Sequence, residues 1–346
     1  MIIDANMHWL PGDFFKDKSL RDSFIYAVPS AYGEYAKVST IPGTQTQQVV
    51  IEKPKGYENL NFAETQYDSV NRLKDMDSAG IDKAILRIPC WQEWLSLETC
   101  KVVNDLLAKH IRQYPGRFLA LAVVPPWGSQ GCLDEVDRCL QDLGFSGVQL
   151  AAHYGKLYLD EEEFEPYFAK LNRLDIPVVV HHTPLPVDYN SLVKYTNLRR
   201  QYGRCVDQAT AVGRELFSGM FGKFPNLKFI HSMLGGGFFT YVNMLAPRKV
   251  GVKEEMERFE VADKVREYLA RNLFFDISGA PQWGKDQLEC AVKVLGADHI
   301  LYGSSHPIRR EWFTKGVDYI KSLDISEEGK SLILGGNAAR LFHISS

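Results

Sequence analysis

No stretch of the 346-residue sequence approaches the roughly 18 consecutive apolar residues of a membrane-spanning helix. Nor does the amino terminus, MIIDANMHWLPGDFF, carry a basic segment followed by a long apolar run. The expected location is therefore cytoplasmic, with no membrane partner. Cysteine is sparse and scattered: Cys90, Cys100, Cys132, Cys139, Cys205 and Cys290 form no C-x-x-C pair and no zinc-knuckle spacing. Reduced thiols are expected. Charge of one sign is also lacking, with a formal net charge of -3 and no basic stripe, which argues against nucleic acid as a partner. Repeats and low-complexity tracts are absent, which excludes a solenoid. No glycine-rich phosphate loop follows the first apolar run, where DANMHWLPGD stands instead, and this counts against a doubly wound dinucleotide-binding sheet.

What is present is a rhythm. Eight short apolar runs recur, at residues 1–7, 83–88, 118–124, 147–152, 177–182, 227–232, 273–278 and 299–304. Runs such as PVVVHH and FLALAVV lack polar alternation, as strands buried on both faces do. Amphipathic segments separate them. DEEEFEPYFAKLNRL (160–174) is acidic in its first turn and basic toward its end, and DSVNRLKDMDSAG (68–80) stops at Gly80. Eight strands alternating with helices predict an α/β fold, a (β/α)8 TIM barrel, with the doubly wound sheet as runner-up. Residues 9–63 break the rhythm with a segment rich in aromatics, Gly, Pro and Thr. Following the first strand, this segment reads as a lid or hairpin insertion over the catalytic face of a single barrel domain spanning 1–346.

Barrel chemistry sits where strands end. The first run ends in Asp4, Asn6 and His8, which share one phase if side chains simply alternate. The second ends at Arg87, the third near Trp127, and the fourth at Gln149 with His153 beyond. The fifth offers His181 and His182, of which simple alternation lets one face inward. The sixth offers His231 and Met233, the seventh Asp276, the eighth Ser305 and His306. Singly, each has an ordinary explanation: a hydrogen-bonded structural histidine, a capping aspartate, a methionine filling the core. Together, four of the nine histidines fall at the ends of three strands around one mouth, which favours a site. Arg87, and less directly Arg309 and Arg310, suit a carboxylate. Trp9, Phe14, Phe15, Trp91, Trp127 and Phe238 suit the walls of a pocket for a flat, conjugated ligand.

Six ordered motifs make the chain recognisable: IDANMHWLPG, PVVVHHTP, FPNLKFIHSMLGGGF, LFFDISG, GADHILYGSSHPI and GGNAARLFHI. With them the chain resembles the amidohydrolase-related proteins typified by aminocarboxymuconate semialdehyde decarboxylase, which also include hydroxybenzoate-type decarboxylases and a dicarboxypyrone lactonase. The resemblance implies a barrel holding one divalent metal such as zinc. Its ligands are a His-x-His pair on strand one (sometimes Glu for the first His), a His on strand five, usually a His on strand six, and an Asp on strand eight. Carried over, these positions fall on Asn6, His8, His181, Met233 and Ser305. An amide, a thioether and a serine hydroxyl are poor ligands for such an ion, so no catalytic metal is expected. Ser305 lacks the Gly-x-Ser-x-Gly elbow of a nucleophile.

The resulting expectation is a metal-independent lyase, a decarboxylase or a related proton-transfer enzyme, acting on a small aromatic or unsaturated carboxylic acid. The alternatives are a hydrolase of amidohydrolase or lactonase type, or a non-catalytic ligand-binding homologue. Catalytic candidates are His8, His181, His231, Asn6 and Ser305. Substrate-binding candidates are Arg87, Trp127, His182, Met233, His306 and Trp9. Family habit favours a homodimer.

Overall fold

Each of the eight apolar runs becomes a strand in the computed structural model, which describes residues 1–345 except 31–33, 68, 184–185 and 248–255. In chain order the strands are β1 (Ile3–His8), β2 (Tyr35–Thr40), β3 (Gln47–Glu52), β4 (Glu58–Ala63), β5 (Lys83–Arg87), β6 (Phe118–Val123) and β7 (Gly147–Ala151). Then follow β8 (His153–Tyr154), β9 (Leu157–Tyr158), β10 (Pro177–His181), β11 (Lys228–His231), β12 (Leu273–Asp276) and β13 (Ile300–Leu301). The main sheet runs β1-β5-β6-β7-β10-β11-β12-β13, with neighbours parallel. It closes on itself where Ala5 N donates to Tyr302 O (2.9 Å), Ser305 N to Asn6 O (2.9 Å) and His8 N to His306 O (2.8 Å). The result is a (β/α)8 barrel.

Both faces of the strands are buried, which explains the missing polar alternation. In β10, Val179 joins Ile3, Ile85, Leu121, Ile230, Phe274 and Leu301 inside the barrel, while Val178 and Val180 face the surrounding helices. Ala338, Leu341 and Phe342 plug the lower end of that interior. The inward polar residues Asn6, His8, Arg87 and Asp276 are thereby gathered toward the upper, carboxyl end.

The helices follow local signals. Leu97–Gln113 is capped by Ser96, whose Oγ accepts from Thr99 N at 3.2 Å, with Glu98 in its first turn and Arg112 in its last. The segment expected at 68–80 is a helix over Ser69–Ala79, and Gly80 ends it at φ 68°. The segment expected at 160–174 begins as a 3-10 turn and becomes α-helical over Glu165–Leu174. Among the described residues no helix is long and apolar enough to cross a membrane.

The described residues of the insertion form the helix Lys18–Ala27 and the antiparallel sheet β2-β3-β4. Trp91, from the turn after β5, pins it down. Its ring lies 4.5 Å from Phe62, 5.3 Å from Phe24 and 6.0 Å from Phe14, and its Nε1 donates to Phe24 O at 3.1 Å. The turn itself is unusual, with Cys90 and Trp91 both at positive φ (57° and 67°). Gln149 on β7 steadies it by bonding both Ile88 N (3.0 Å) and Ile88 O (2.8 Å).

Candidate active site

The first strand does not keep the simple alternation of Asp4, Asn6 and His8. Its register against β5 shifts between Asp4 and Met7, a bulge that changes the phase. Ile3 and Ala5 pack into the barrel interior, whereas from Asn6 onward the even positions turn inward. Asp4 is left on the other side, accepting from Ser304 N (3.0 Å), Ser304 Oγ and Asn6 N (3.0 Å). Burial raises its pKa to about 6 against the opposing pull of those bonds.

Beneath the mouth lies an interlocked polar floor, in which Arg87 Nη1 is buried without a hydrogen-bond partner among the described residues. Arg87 Nε donates to Asn6 Oδ1 (2.8 Å), and Arg87 Nη2 to Asp276 Oδ2 (3.0 Å), both charged side chains being completely buried. Accepting from Arg87 fixes the Asn6 amide with its NH2 group toward Asp276 Oδ1 (2.9 Å), Ser278 Oγ (2.9 Å) and Ser305 Oγ (3.1 Å). Two N–H bonds are thus shared among three oxygens. Ser278 Oγ donates to Asp276 Oδ1 and accepts from Met233 N at 3.0 Å. Arg87, expected to hold a substrate carboxylate, is therefore occupied by a protein one.

Above this floor, His8 and His181 meet with their Nε2 atoms 3.2 Å apart. His181 Nδ1 lies 2.8 Å from the carbonyl oxygen of His182, and a carbonyl only accepts, so Nδ1 carries the hydrogen. Nε2 of His181 is then a lone pair, and His8 Nε2–H donates to it. His8 Nδ1 is left buried with no hydrogen-bond partner among the described residues. Burial pulls both pKa values well below 6.5. The neighbouring rings and the Arg87 charge act in the same direction, so both imidazoles are neutral at pH 7.

A cavity opens onto this pair. Cys90, His182, Met233 and Ser305 border it, Leu60 and Phe62 reach it from β4, and Ile308, Trp312 and Arg204 complete the wall. Met233 arrives on a left-handed turn in which residues 233–237 all have positive φ. At Gly236 a Cβ would stand 1.8 Å from Cys205 O, so the GGG run lets this turn press against the helix Gly203–Phe217.

The structure assembles His8, His181, His182, Met233 and Ser305 at one cavity, with Asn6 and Arg87 in the floor below. His181 and His182 both border the cavity, their rings stacked 4.1 Å apart, because His182 lies beyond the end of the strand and is freed from its alternation. His231 is elsewhere. It faces outward from β11, where Nδ1 meets Gln208 Oε1 (2.8 Å) and Nε2 meets Glu215 Oε2 (2.7 Å) on the overlying helix. Trp127 packs against Phe164 and Tyr154 and lines a separate cavity with His153 and Glu93. Trp9 is buried against His110, and His306 against Phe313. Arg309 and Arg310 are exposed, Arg310 pairing with Asp75. Cys90, Ser278 and Arg204 escaped the reading of strand ends. Cys90 lies three residues past a strand in IPC and Arg204 belongs to a helix, so neither carries a positional signal.

A family profile described as Amidohydrolase matches residues 3–344. The chain belongs to this family. A gamma-resorcylate decarboxylase of Polaromonas sp. is 28% identical over 292 residues, covering 79% of this chain and 87% of that protein. A 2-amino-3-carboxymuconate-6-semialdehyde decarboxylase of Dictyostelium discoideum is 25% identical over 253 residues, covering 70% and 66%. In fold, the amidohydrolase chain is similar to a dihydroxybenzoic acid decarboxylase from Polaromonas sp., solved with manganese and 2-nitroresorcinol. The TM-score is 0.69 at 21% identity, covering 99% of this chain and 97% of that one.

The residues here do not fit such an ion. Manganese favours carboxylate, imidazole and water ligands. At the positions the family resemblance assigns to ligands, Asn6 Oδ1 is taken by Arg87, Ser305 Oγ accepts from Asn6, and Met233 supplies a thioether. Cys90, His181 and His182 bring ligand atoms within 4.8 Å of one another. However, Cys90 offers a buried, soft sulfur, and His181, whose Nδ1–H is committed to a carbonyl, offers only Nε2. A thiol and two imidazoles without a carboxylate are a poor nest for a hard cation.

Proposed function

We propose that this protein is a metal-independent decarboxylase of a small aromatic or unsaturated carboxylic acid, in which the His8–His181 pair handles the proton. The observation that carries this reading is the direct Nε2–Nε2 contact of two neutral histidines at the edge of a cavity. Support comes from relatives named as decarboxylases, of gamma-resorcylate and of 2-amino-3-carboxymuconate-6-semialdehyde, although a 2-keto-4-carboxy-3-hexenedioate hydratase is also similar.

A carboxylate arriving beside the pair favours its charged form, so binding draws one proton onto it. That proton passes to the ring carbon bearing the carboxylate. The C–C bond then breaks, its electron pair restoring the ring, carbon dioxide leaves, and the pair returns to neutrality. Ser305 accepts from Asn6, which leaves its own O–H free to donate to a substrate oxygen. Leu60, Phe62 and Trp312 suit the faces of a planar ring. Leu60 and Phe62 belong to the insertion, which on this reading acts as the lid that excludes water.

Two measurements test the proposal together. Activity on hydroxybenzoates is expected to survive exhaustive chelation, with less than stoichiometric metal by elemental analysis. Activity that vanishes with the metal and returns with manganese sinks it. The pH profile gives the second test. Productive encounter needs the carboxylate anion and a protonated pair, and the free pair has a pKa well below 6.5. Hence kcat/KM is expected to fall by about tenfold per pH unit above pH 6.5. A flat profile from 6.5 to 8.5 contradicts proton delivery by these histidines.

A further inference from the structure

We propose that Arg204 is the anchor for the substrate carboxylate at the His8–His181 cavity. Arg204 lines that cavity near the start of the helix Gly203–Phe217. Its Nη2 donates to the backbone oxygen of Asn59 at 2.8 Å, while Nε is sealed from solvent with no hydrogen-bond partner among the described residues. Among the described residues the guanidinium also lacks an anion. The charged or ionisable groups that act on it are Cys90, Cys205 and Arg200, and burial holds both thiols protonated, at about 12 and about 11.

Other arginines of the chain show what is missing. Arg87 has Asp276, Arg138 has Glu135 and Asp105, and Arg214 has Asp160 and Glu161. Arg204 alone among these four faces a cavity bordered by neutral imidazoles. Burial without a counter-ion pulls its pKa down to about 10, yet it stays charged at neutral pH. A cation held in that state is poised for a ligand that brings the negative charge. A planar guanidinium at the cavity wall matches a planar carboxylate, and the apolar part of that wall matches the ring that bears it.

The position also assigns a division of labour. Decarboxylation removes the negative charge from the carboxylate, so a cation bound to it stabilises the ground state at least as well as the transition state. Arg204 therefore governs binding, and the histidine pair governs the chemical step. The inference rests on the proposal that the cavity takes an arenecarboxylate, but its test does not require turnover.

The test is calorimetric titration of the full-length protein with benzoate, with benzamide and inorganic phosphate as comparison ligands. The wild type is expected to bind benzoate in preference to both. Arg204→Met is expected to weaken benzoate roughly 10- to 100-fold, to leave benzamide unchanged, and to raise KM rather than lower kcat on any turned-over acid. Arg204→Lys, which keeps the charge but loses the fork, is expected to fall between. The thermal midpoint of the unliganded Arg204→Met protein is expected to be unchanged or higher, because a half-buried charge with no ion-pair partner among the described residues is removed. A lowered midpoint with unchanged benzoate affinity shows a structural role and overturns the anchor. Equal benzoate binding by wild type and both variants also overturns it, while leaving the cavity as an acid-binding site. Wild-type protein that binds none of these ligands, or phosphate as well as benzoate, refutes the arenecarboxylate reading itself.

Discussion

Replacing His181 with alanine is expected to lower kcat/KM by roughly 10²- to 10⁴-fold, the range for loss of a positioned acid/base group. The cause is specific. His181 Nε2 is the acceptor that fixes His8 Nε2–H, and the His182 carbonyl in turn fixes His181. Removing the ring therefore takes away one proton carrier and releases the other. His8→Ala is expected to cost about as much, and the double variant little more, because the two rings act as one unit. His231→Ala provides the contrast. It lies outside the cavity, so activity is expected to hold, while stability falls by about 1–3 kcal/mol as Glu215 and Gln208 lose their buried partner. Steady-state kinetics with urea unfolding of the four variants separates the cases. If His231→Ala loses activity while His181→Ala keeps it, the assignment is reversed and the dyad abandoned.

The second large effect concerns stability. Asp276→Ala is expected to destabilise the fold by about 3–5 kcal/mol, because it strands the completely buried Arg87 guanidinium. Asn6 also loses an acceptor, and Ser278 loses the carboxylate to which it donates. Removing both charges in an Arg87→Met, Asp276→Leu variant is expected to recover a large part of this loss, since the cost lies in the unpaired charge. Chemical denaturation measures it. A single variant as stable as the wild type refutes the view that the polar floor is an interdependent network.

Much of the barrel was legible because strands buried on both faces must be apolar along their whole length, and helices between them must be amphipathic. The runs KAILRI, PVVVHH and LFFDIS announce themselves in that way. The two histidines of the pair were legible because they end such runs. His231 misled for an equally physical reason: a polar residue near the end of a strand has the same signature whether it turns into the barrel or pairs with Glu215 on an outer helix. Trp127 and Trp9 misled because an aromatic residue near a mouth is as readily a packing element as a wall.

The sequence by itself determined the family, the eight-strand rhythm and the place of the insertion after the first strand. These follow from residue type and order alone. Tertiary structure decided the rest. A bulge in β1 separated Asp4 from Asn6, Arg87 was committed to Asp276, and two histidines 173 positions apart were brought to 3.2 Å. It also put Arg204, from a helix without a motif, beside them. Periodicity is a property of neighbouring residues, whereas pairing a charge or sharing a proton depends on distances between strands. That is why the barrel could be read along the chain, and the ring of polar contacts inside its mouth could not.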